Sequence, residues 1–306
     1  MTIFYRRLPN FEYLRPQTIE AALLALSDAE PVRNQVFSGG TDLIPKLKSR
    51  AIKAPPQVID LKGISGLDYI EFAPDTGLRI GANAIIREVA RSPEVRANYA
   101  ALAEGASLIA SNQLQHRGTI VGNVCNAVPS ADSAPPLLAH DAVVVCVGRA
   151  GERRVAIADF FVTAGVSCLQ SGEIVKEINV PPPAAGERSV YLKLASRGRM
   201  DLAVVGVAAA VVLENGIFRR IRIGLGSAAP VPIRATQAES YLTCKAATAQ
   251  NISAASAIAA ADTRTRTSHR ASADYRREMI EVLVRRALGQ LARIAVDTEA
   301  QLQEGA

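Results

Sequence analysis

The 306-residue sequence contains no tryptophan, and aromatic residues make up only 5% of it. A core built on large aromatic side chains is therefore excluded, and valine, isoleucine, leucine and alanine must fill most of the interior. The four cysteines, Cys125, Cys146, Cys168 and Cys244, are widely spaced, and none forms a CxxC pair. Zinc and iron–sulfur sites need closer cysteines, so we expect reduced thiols and no metal in this chain.

Motifs for hydrolytic chemistry are also missing. The chain has no G-x-G-x-x-G fingerprint at its glycine turns, no P-loop, no H-E-x-x-H helix and no G-x-S-x-G nucleophile elbow. Only three histidines are present: His116, His140 and His269. Hydrolase and metalloprotease functions therefore lack their usual residues, and the sequence predicts no catalytic side chain.

Charge and hydropathy give few signs of a polyanion or a membrane partner. The chain has 35 basic and 29 acidic residues, a formal net charge of +6, and its arginines concentrate only between Arg264 and Arg286. Without interleaved aromatic residues this favours a solvated helix face or a subunit contact, and we expect no nucleic-acid partner. The N-terminus lacks signal-peptide features, and the longest apolar run, Leu202 to Leu213, is too short to span a bilayer as a helix. We therefore expect a cytoplasmic protein without a membrane span.

Two segments rich in glycine and hydroxyl residues lie about eighty positions apart. The first is Phe37-Ser38-Gly39-Gly40-Thr41-Asp42-Leu43, and the second runs from Thr119 to Asp132. Glycine allows backbone N–H groups to approach a ligand where a Cβ would collide. The Gly39-Gly40 pair alone is typical of an ordinary turn. Together the two segments predict a cofactor whose diphosphate is held between them.

Two charged residues, one at the end of the second segment and one on a later predicted strand, allow two interpretations each. Asp132 precedes a predicted helix and is suited to cap it, or to accept hydrogen bonds from ribose or ribityl hydroxyls of a cofactor. Lys193 alternates with apolar residues along a predicted strand, so it either faces solvent or places a fixed positive charge near a redox ring. The sequence pattern leaves both pairs of alternatives open.

The order of predicted elements indicates an α+β protein. Before residue 180 the patterns predict strands at 35–37, 58–61, 78–82 and 141–147, and helices at 19–26, 85–90, 99–111 and 134–140. Three consecutive prolines, Pro181 to Pro183, then mark a strong break. Beyond it we predict strands at 189–195, 202–213 and 218–226, followed by helices at 235–244, 252–261 and 273–294. Consecutive strands followed by helices favour an antiparallel sheet with helical cover.

The chain resembles the FAD-binding medium subunit of the molybdenum hydroxylases, a family that includes xanthine dehydrogenase and aerobic carbon monoxide dehydrogenase. The similarity runs from about Phe4 to Ala292 and is most specific in FSGGTDLIPKLK, TIVGNVCNAVPSADSAPPLLAHDA, YLKLASR and ADYRREMIEVLVRRAL. It implies a two-subdomain FAD-binding domain of the vanillyl-alcohol-oxidase (PCMH) type, then a small C-terminal domain with a three-stranded antiparallel sheet and helices. The implied limits are 1–178, with subdomains of about 1–56 and 57–178, then 179–295 and a polar tail at 296–306.

The resemblance also implies which residues bind FAD. They comprise the two glycine segments, an acidic residue, a flavin-proximal lysine and apolar contacts, namely Val36, Phe37, Ser38, Gly39, Gly40, Thr41, Asp42, Leu43, Ile109, Thr119, Ile120, Val121, Gly122, Asn123, Asp132, Val175 and Lys193. Ile109 stands where xanthine dehydrogenases have phenylalanine. Val121 stands where the family usually has a glycine, and we expect that only Gly122 needs a positive φ.

The function implied by the resemblance is an FAD-binding electron-transfer subunit of a multi-subunit oxidoreductase. Electrons would pass between [2Fe–2S] centres on a partner subunit and an external acceptor. The implied partners are a large molybdopterin-binding subunit and a small [2Fe–2S] subunit, assembled as a dimer of heterotrimers. Substrate chemistry would then occur on another chain. Two alternatives remain at this point: a stand-alone flavoprotein oxidase or reductase on the same fold, and a non-catalytic partner-binding scaffold.

Overall fold

The computed structural model describes residues 7–27, 34–197 and 200–296. The first residues of the predicted similarity, at Phe4, and nearly all of the predicted polar tail lie outside these ranges. The described residues form an α+β fold, as predicted from the order of elements.

A small parallel sheet opens the chain. Its strands are β1 (Glu12–Leu14), β2 (Gln35–Phe37) and β3 (Gln57–Asp60), in the order β1-β3-β2. The parallel pairings need crossovers, which contain α1 (Ile19–Ser27) and α2 (Leu43–Ser49). Because Phe37 of β2 pairs with Asp60 of β3, the turns that follow these two strands lie side by side.

A five-stranded antiparallel sheet comes next, in the order β4-β5-β10-β6-β7. Its strands are β4 (Ile70–Ala73), β5 (Gly77–Gly81), β6 (Val143–Gly148), β7 (Gly151–Ala156) and β10 (Ile174–Val180). The sequence predicted β5 and β6 but missed the central strand β10. Lys176, Glu177 and Asn179 interrupt its apolar run, and the pairing with β6 shifts register between Val175 and Glu177.

Six short helices fill the connection between β5 and β6. They are α3 (Ile86–Arg91), α4 (Pro93–Asn98), α5 (Ala100–Ser107), α6 (Asn112–Gln115), α7 (Ile120–Cys125) and α8 (Ala134–Ala139). The single helix predicted at 99–111 ends at Ser107. A further short helix, α9 (Ile157–Phe160), and the hairpin of β8 (Phe161–Thr163) and β9 (Val166–Ser167) precede β10.

The C-terminal part is an antiparallel sheet covered by helices. The strands β11 (Arg188–Leu194), β12 (Val205–Glu214), β13 (Ile217–Gly226) and β14 (Ile233–Arg234) pair in chain order. Three of them were predicted; β14 has only two residues, too few for a periodic pattern. The helices are α10 (Thr236–Leu242), α11 (Ala249–Ala261) and α12 (Ala273–Ala292), with α12 packed on α11 and on β12.

Hydrophobic side chains form two large clusters, one within residues 22–180 and one within residues 190–291. A small third cluster from α5, α8, β11 and β12 lies between them. Helix α8 lies directly on β13, because an added Cβ on Gly224 would be 2.1 Å from the Pro135 carbonyl oxygen. This contact holds the segment before α8 close to the second sheet. No helix in the described ranges has the length and apolar character needed to cross a membrane.

Candidate cofactor-binding site

The two glycine segments touch each other. A Cβ added to Gly39 would lie 2.1 Å from the carbonyl oxygen of Arg117 and 2.7 Å from the Cα of Gly118, whereas real Cβ atoms essentially never approach closer than 3.0 Å. A Cβ on Gly118 would in turn lie 3.2 Å from Thr41 Oγ1. At Gly39, glycine therefore permits a backbone approach that any other residue would prevent, and at Gly118 a side chain would crowd Thr41.

Side chains beyond the glycines strengthen this contact. The Asn126 amide, just after α7, donates to Asp42 Oδ1 at 3.0 Å. Its oxygen accepts a hydrogen bond from Lys46 in α2. The first segment is thus attached to the second at its glycines and again at Asn126, so their relative position is fixed over several residues.

The first segment presents unpaired backbone donors. Gly40 has φ +72°, a left-handed conformation that favours glycine. Among the residues that the structure describes, none accepts a hydrogen bond from the backbone N–H of Gly39, Gly40 or Thr41. Successive unpaired N–H groups in a turn with a left-handed residue form a concave anion-binding surface, so these three indicate a site for an anionic ligand.

The second segment is a helix start rather than a glycine turn. Thr119 is the N-cap of α7, and its Oγ1 accepts a hydrogen bond from Gly122 N–H at 3.0 Å. Neither Val121 nor Gly122 has a positive φ, so our expectation that Gly122 needs this freedom is wrong. The helical backbone accommodates Val121 without strain, and its side chain packs in the core at 5% exposure. Its backbone N–H donates a hydrogen bond to no residue that the structure describes.

A hydrogen bond connects α7 to the segment that carries Asp132. Ser133 Oγ donates to Asn123 Oδ1 at 2.6 Å, and Ser133 is fully buried. Ser133 is the N-cap residue of α8 but makes no capping hydrogen bond through its side chain. Asp132 does not cap the helix either, because its carboxylate is directed to β11. The capping interpretation of Asp132 is therefore wrong.

Asp132 and Lys193 form a buried ion pair. Lys193 Nζ lies 2.7 Å from Asp132 Oδ2, with side-chain exposures of 8% and 7% respectively. The solvent-facing interpretation of Lys193 is therefore wrong. The Tyr191 hydroxyl donates to the other carboxylate oxygen of Asp132 at 2.7 Å. Burial raises the pKa of Asp132, an effect that Lys193 and Tyr191 partly offset. Burial and the neighbouring carboxylate also raise the pKa of Tyr191.

The same lysine reaches the region of Ile109. Lys193 Nζ also donates to the Leu108 carbonyl oxygen at 3.2 Å, next to Ile109, whose own carbonyl accepts from Gln115 at 2.8 Å. Ile109 is 9% exposed. Val175 lies in β10 with 4% exposure, and α7 packs against that strand. Contacts therefore connect Ile109 with the ion pair, whereas Val175 is connected to the site through α7.

The sequence analysis did not predict several residues that lie around the site. Tyr191 lies two positions before Lys193 on the same face of β11, so strand alternation alone identifies it as a neighbour. Gly206 pairs with Lys193 across the sheet, and a Cβ there would be 2.5 Å from the Tyr191 hydroxyl. Glu104 accepts from the Tyr191 backbone N–H at 2.6 Å. Asn83, which accepts from Ser38 Oγ at 2.7 Å, gave no signal in the sequence.

The site is suited to hold an anion and to fix charges, and poorly suited to proton transfer. Its backbone donors come from two segments in contact, and Asp132 and Lys193 are already paired with each other. In the described part of the chain no three histidine, cysteine or carboxylate side chains are placed to hold a metal ion. These features match the needs of a diphosphate-bearing cofactor.

Two family profiles match the chain. Residues 9–183 match the FAD binding domain in molybdopterin dehydrogenase, and residues 190–291 match the CO dehydrogenase flavoprotein C-terminal domain. The chain is 31% identical over 279 residues to the putative xanthine dehydrogenase FAD-binding subunit of Escherichia coli (strain K12), covering 91% of this chain and 94% of that one. It is 34% identical over 284 residues to the carbon monoxide dehydrogenase medium chain of Hydrogenophaga pseudoflava, covering 92% and 96%.

A solved structure has the same fold over almost the whole chain. A chain of the carbon monoxide dehydrogenase from Hydrogenophaga pseudoflava which lacks the Mo-pyranopterin moiety of the molybdenum cofactor superposes with a TM-score of 0.89 at 34% identity. The superposition covers 94% of this chain and all of that one. Sequence, domain content and fold agree, and the chain belongs to the family of FAD-binding medium subunits of the molybdenum hydroxylases.

Proposed function

We propose that this chain binds FAD between its two glycine segments and serves as the electron-transfer subunit of a multi-subunit molybdenum hydroxylase. The observation that carries the proposal is the contact of Gly39 with Arg117 and Gly118. Next to this contact are four backbone N–H groups that donate to no residue in the described part of the chain, namely those of Gly39, Gly40, Thr41 and Val121. Such donors are what a diphosphate needs. When bound, FAD supplies the capacity to accept and release electrons singly or in pairs.

The remaining proposed contacts follow the chain of hydrogen bonds away from the glycines. Asp132 retains acceptor capacity for sugar-alcohol hydroxyls, and Lys193 provides a fixed positive charge that Asp132 orients. The full proposed set is 36–43, Ile109, 119–123, Asp132, Val175 and Lys193. Asp132 and Lys193 are paired with each other, and Asp42 accepts a hydrogen bond from Asn126, which supports electron relay rather than substrate chemistry on this chain.

The proposed partners are a large molybdopterin-binding subunit and a small [2Fe–2S] subunit, in a dimer of heterotrimers. The relatives named as an FAD-binding subunit and a medium chain support an assembly of several chains. We place the complex in the cytoplasm and without a nucleic-acid partner. We place the domain limits at 1–178, with subdomains of about 1–56 and 57–178, and at 179–295. The two large hydrophobic clusters, one within residues 22–180 and one within residues 190–291, support the division near residue 180.

Titration of the purified chain with FAD tests the proposal. We expect one FAD per chain, a flavin absorption spectrum after desalting, and a rise in the unfolding temperature with FAD concentration. A chain that neither retains FAD nor gains thermal stability from it would contradict the proposal and favour the scaffold alternative. Turnover of an organic substrate by the isolated, FAD-loaded chain would favour the stand-alone flavoprotein instead.

A further inference from the structure

We infer that Lys62 is a positioning residue that directs the backbone N–H of Gly39 into the FAD diphosphate site. The inference rests on the proposed function and adds a residue outside the proposed contact set. Lys62 lies in the short 3₁₀ turn Leu61–Gly63 that follows β3, beside the glycine segment that follows β2.

Lys62 binds the peptide group that contains the Gly39 N–H. Its Nζ donates to the Ser38 carbonyl oxygen at 2.7 Å. The Ser38 carbonyl and the Gly39 N–H belong to one planar peptide, in which the two groups point in opposite directions. An ammonium that holds the oxygen on one side therefore turns the N–H to the other side. No described residue accepts a hydrogen bond from that N–H.

The lysine is itself held in place by two further contacts. Its Nζ lies 2.7 Å from Asp60 Oδ1 and 3.9 Å from the centre of the Phe37 ring. Asp60 is buried at 1% exposure and also accepts a hydrogen bond from Tyr13. Burial alone would raise the pKa of Asp60, but the hydrogen bonds from Lys62 and Tyr13 hold it below its ordinary value. The carboxylate thus remains charged and keeps the ammonium in position.

The Phe37 ring extends this arrangement to the next glycine. A Cβ on Gly40 would lie 2.3 Å from Phe37 Cε2, so the ring packs directly under the left-handed residue of the turn. A second connection runs from Ser38 Oγ to Asn83, whose amide donates to the Leu61 carbonyl oxygen at 2.9 Å. The turn after β3 is therefore hydrogen-bonded to the Ser38 carbonyl directly and to the Ser38 hydroxyl through Asn83.

The test compares FAD affinity in the full chain and in three variants, by quenching of flavin fluorescence. Lys62→Met removes the ammonium and keeps the length of the side chain. Lys53→Met is the matched control, because Lys53 is exposed and the change in net charge is the same. We expect Lys62→Met to weaken FAD binding about 10- to 100-fold, as for the loss of a hydrogen bond to a charged group. Lys53→Met should match the wild type, and Lys62→Arg should recover most of the affinity.

A second measurement uses the wild-type chain alone and does not depend on a variant that folds. With selective ¹⁵N-glycine labelling, the Gly39 amide should move downfield on saturation with FAD, because it gains a phosphate acceptor. The inference is overturned if that amide does not move, or if folded Lys62→Met binds FAD within about twofold of the wild type. A wild-type chain that binds no FAD at all would instead overturn the proposed function.

Discussion

Substituting Gly39 by alanine should separate the two glycine segments and abolish most FAD binding. The new Cβ would lie 2.1 Å from the Arg117 carbonyl oxygen and 2.7 Å from the Gly118 Cα. Both neighbours are backbone atoms, so one segment must move by about 1 Å to relieve the overlap. Overpacking of this kind typically costs about 1–3 kcal/mol of stability. The φ of Gly39 is not in the left-handed region, so the cost is steric.

The effect on FAD follows from the same displacement. A shift of about 1 Å breaks or weakens one or two hydrogen bonds to the diphosphate, each worth about 1.5–3 kcal/mol when the acceptor is charged. A loss of about 2–4 kcal/mol corresponds to a Kd that is about 30- to 1,000-fold higher. Fluorescence titration measures the Kd, and urea unfolding of the apo chain measures the stability.

Gly66→Ala is the matched control for this substitution. Gly66 has φ +73° and nothing within 4 Å of an added Cβ, so alanine there costs about 1–2 kcal/mol of backbone strain without meeting any atom of the glycine contact. We expect Gly66→Ala to lose a comparable amount of stability and to keep its affinity for FAD. If both variants lost FAD equally, or if Gly39→Ala bound it normally, the contact between the segments would not be what holds the cofactor.

Three further substitutions test the site and the packing around it. Gly206→Val should force the Tyr191 hydroxyl away from Asp132 and lower the free energy of unfolding by about 2–3 kcal/mol in urea; an unchanged midpoint would contradict the close packing. Asp141, between α8 and β6, pairs with Arg222 at 3.0 Å, with Arg220 at 3.1 Å and with Arg234. Burial alone would raise the pKa of Asp141, but these arginines hold it below its ordinary value of 3.8. Its contribution to stability is therefore complete above that value and lost as the pH falls through the lowered one. Asp141→Asn should therefore be less stable than wild type near neutral pH, with the two melting temperatures converging in acid; a constant difference would exclude this carboxylate as the cause. Val121→Gly should cost about 2–3 kcal/mol of stability because it removes a buried side chain from a helix, while FAD affinity, measured by calorimetry, stays within about twofold; a large gain or loss of affinity would contradict the helical placement of this residue.

The glycine segments could be identified from sequence because their composition is unusual in itself. The pair at Gly39 and Gly40 follows a short strand, and hydroxyl residues accompany it, so the local chemistry is visible without the fold. The contact that makes them one site was not visible. It depends on the close approach of Gly39 to Arg117, and nothing in the residue types near Arg117 indicates a partner almost eighty positions earlier.

The helix α7 was hidden for a different reason. Its six residues include a glycine and an asparagine, which are weak helix formers, and the segment is too short for apolar periodicity. The N-cap hydrogen bond of Thr119 was the available signal, since threonine before an apolar pair is a common helix start. Reading the segment as a helix start would also have predicted correctly that Val121 needs no positive φ.

The sequence indicated Asp132 and Lys193 individually but did not predict that they form an ion pair. Each residue was singled out by its own surroundings, but the two lie 61 positions apart and meet because α8 packs on the second sheet. That packing depends on glycines in β13, where a Cβ on Gly224 would collide with Pro135. Small residues on a strand are usually read as weak strand formers, so the pattern gives no hint that a helix rests on them.

Helix α8 also brings the two parts of the chain together at the proposed site. The backbone donors belong to the N-terminal part, whereas Lys193 belongs to β11 of the second sheet. The path between them runs from Asn123 to Ser133 and from Asp132 to Lys193. Ser133 and Asp132 are buried, and the Lys193 side chain is 8% exposed. Moving charge onto a cofactor in such a place needs a fixed counter-charge rather than a mobile proton, and a lysine held by a buried carboxylate provides one. The same pairing removes both groups from acid–base chemistry, which fits a chain that relays electrons and leaves substrate turnover to another subunit.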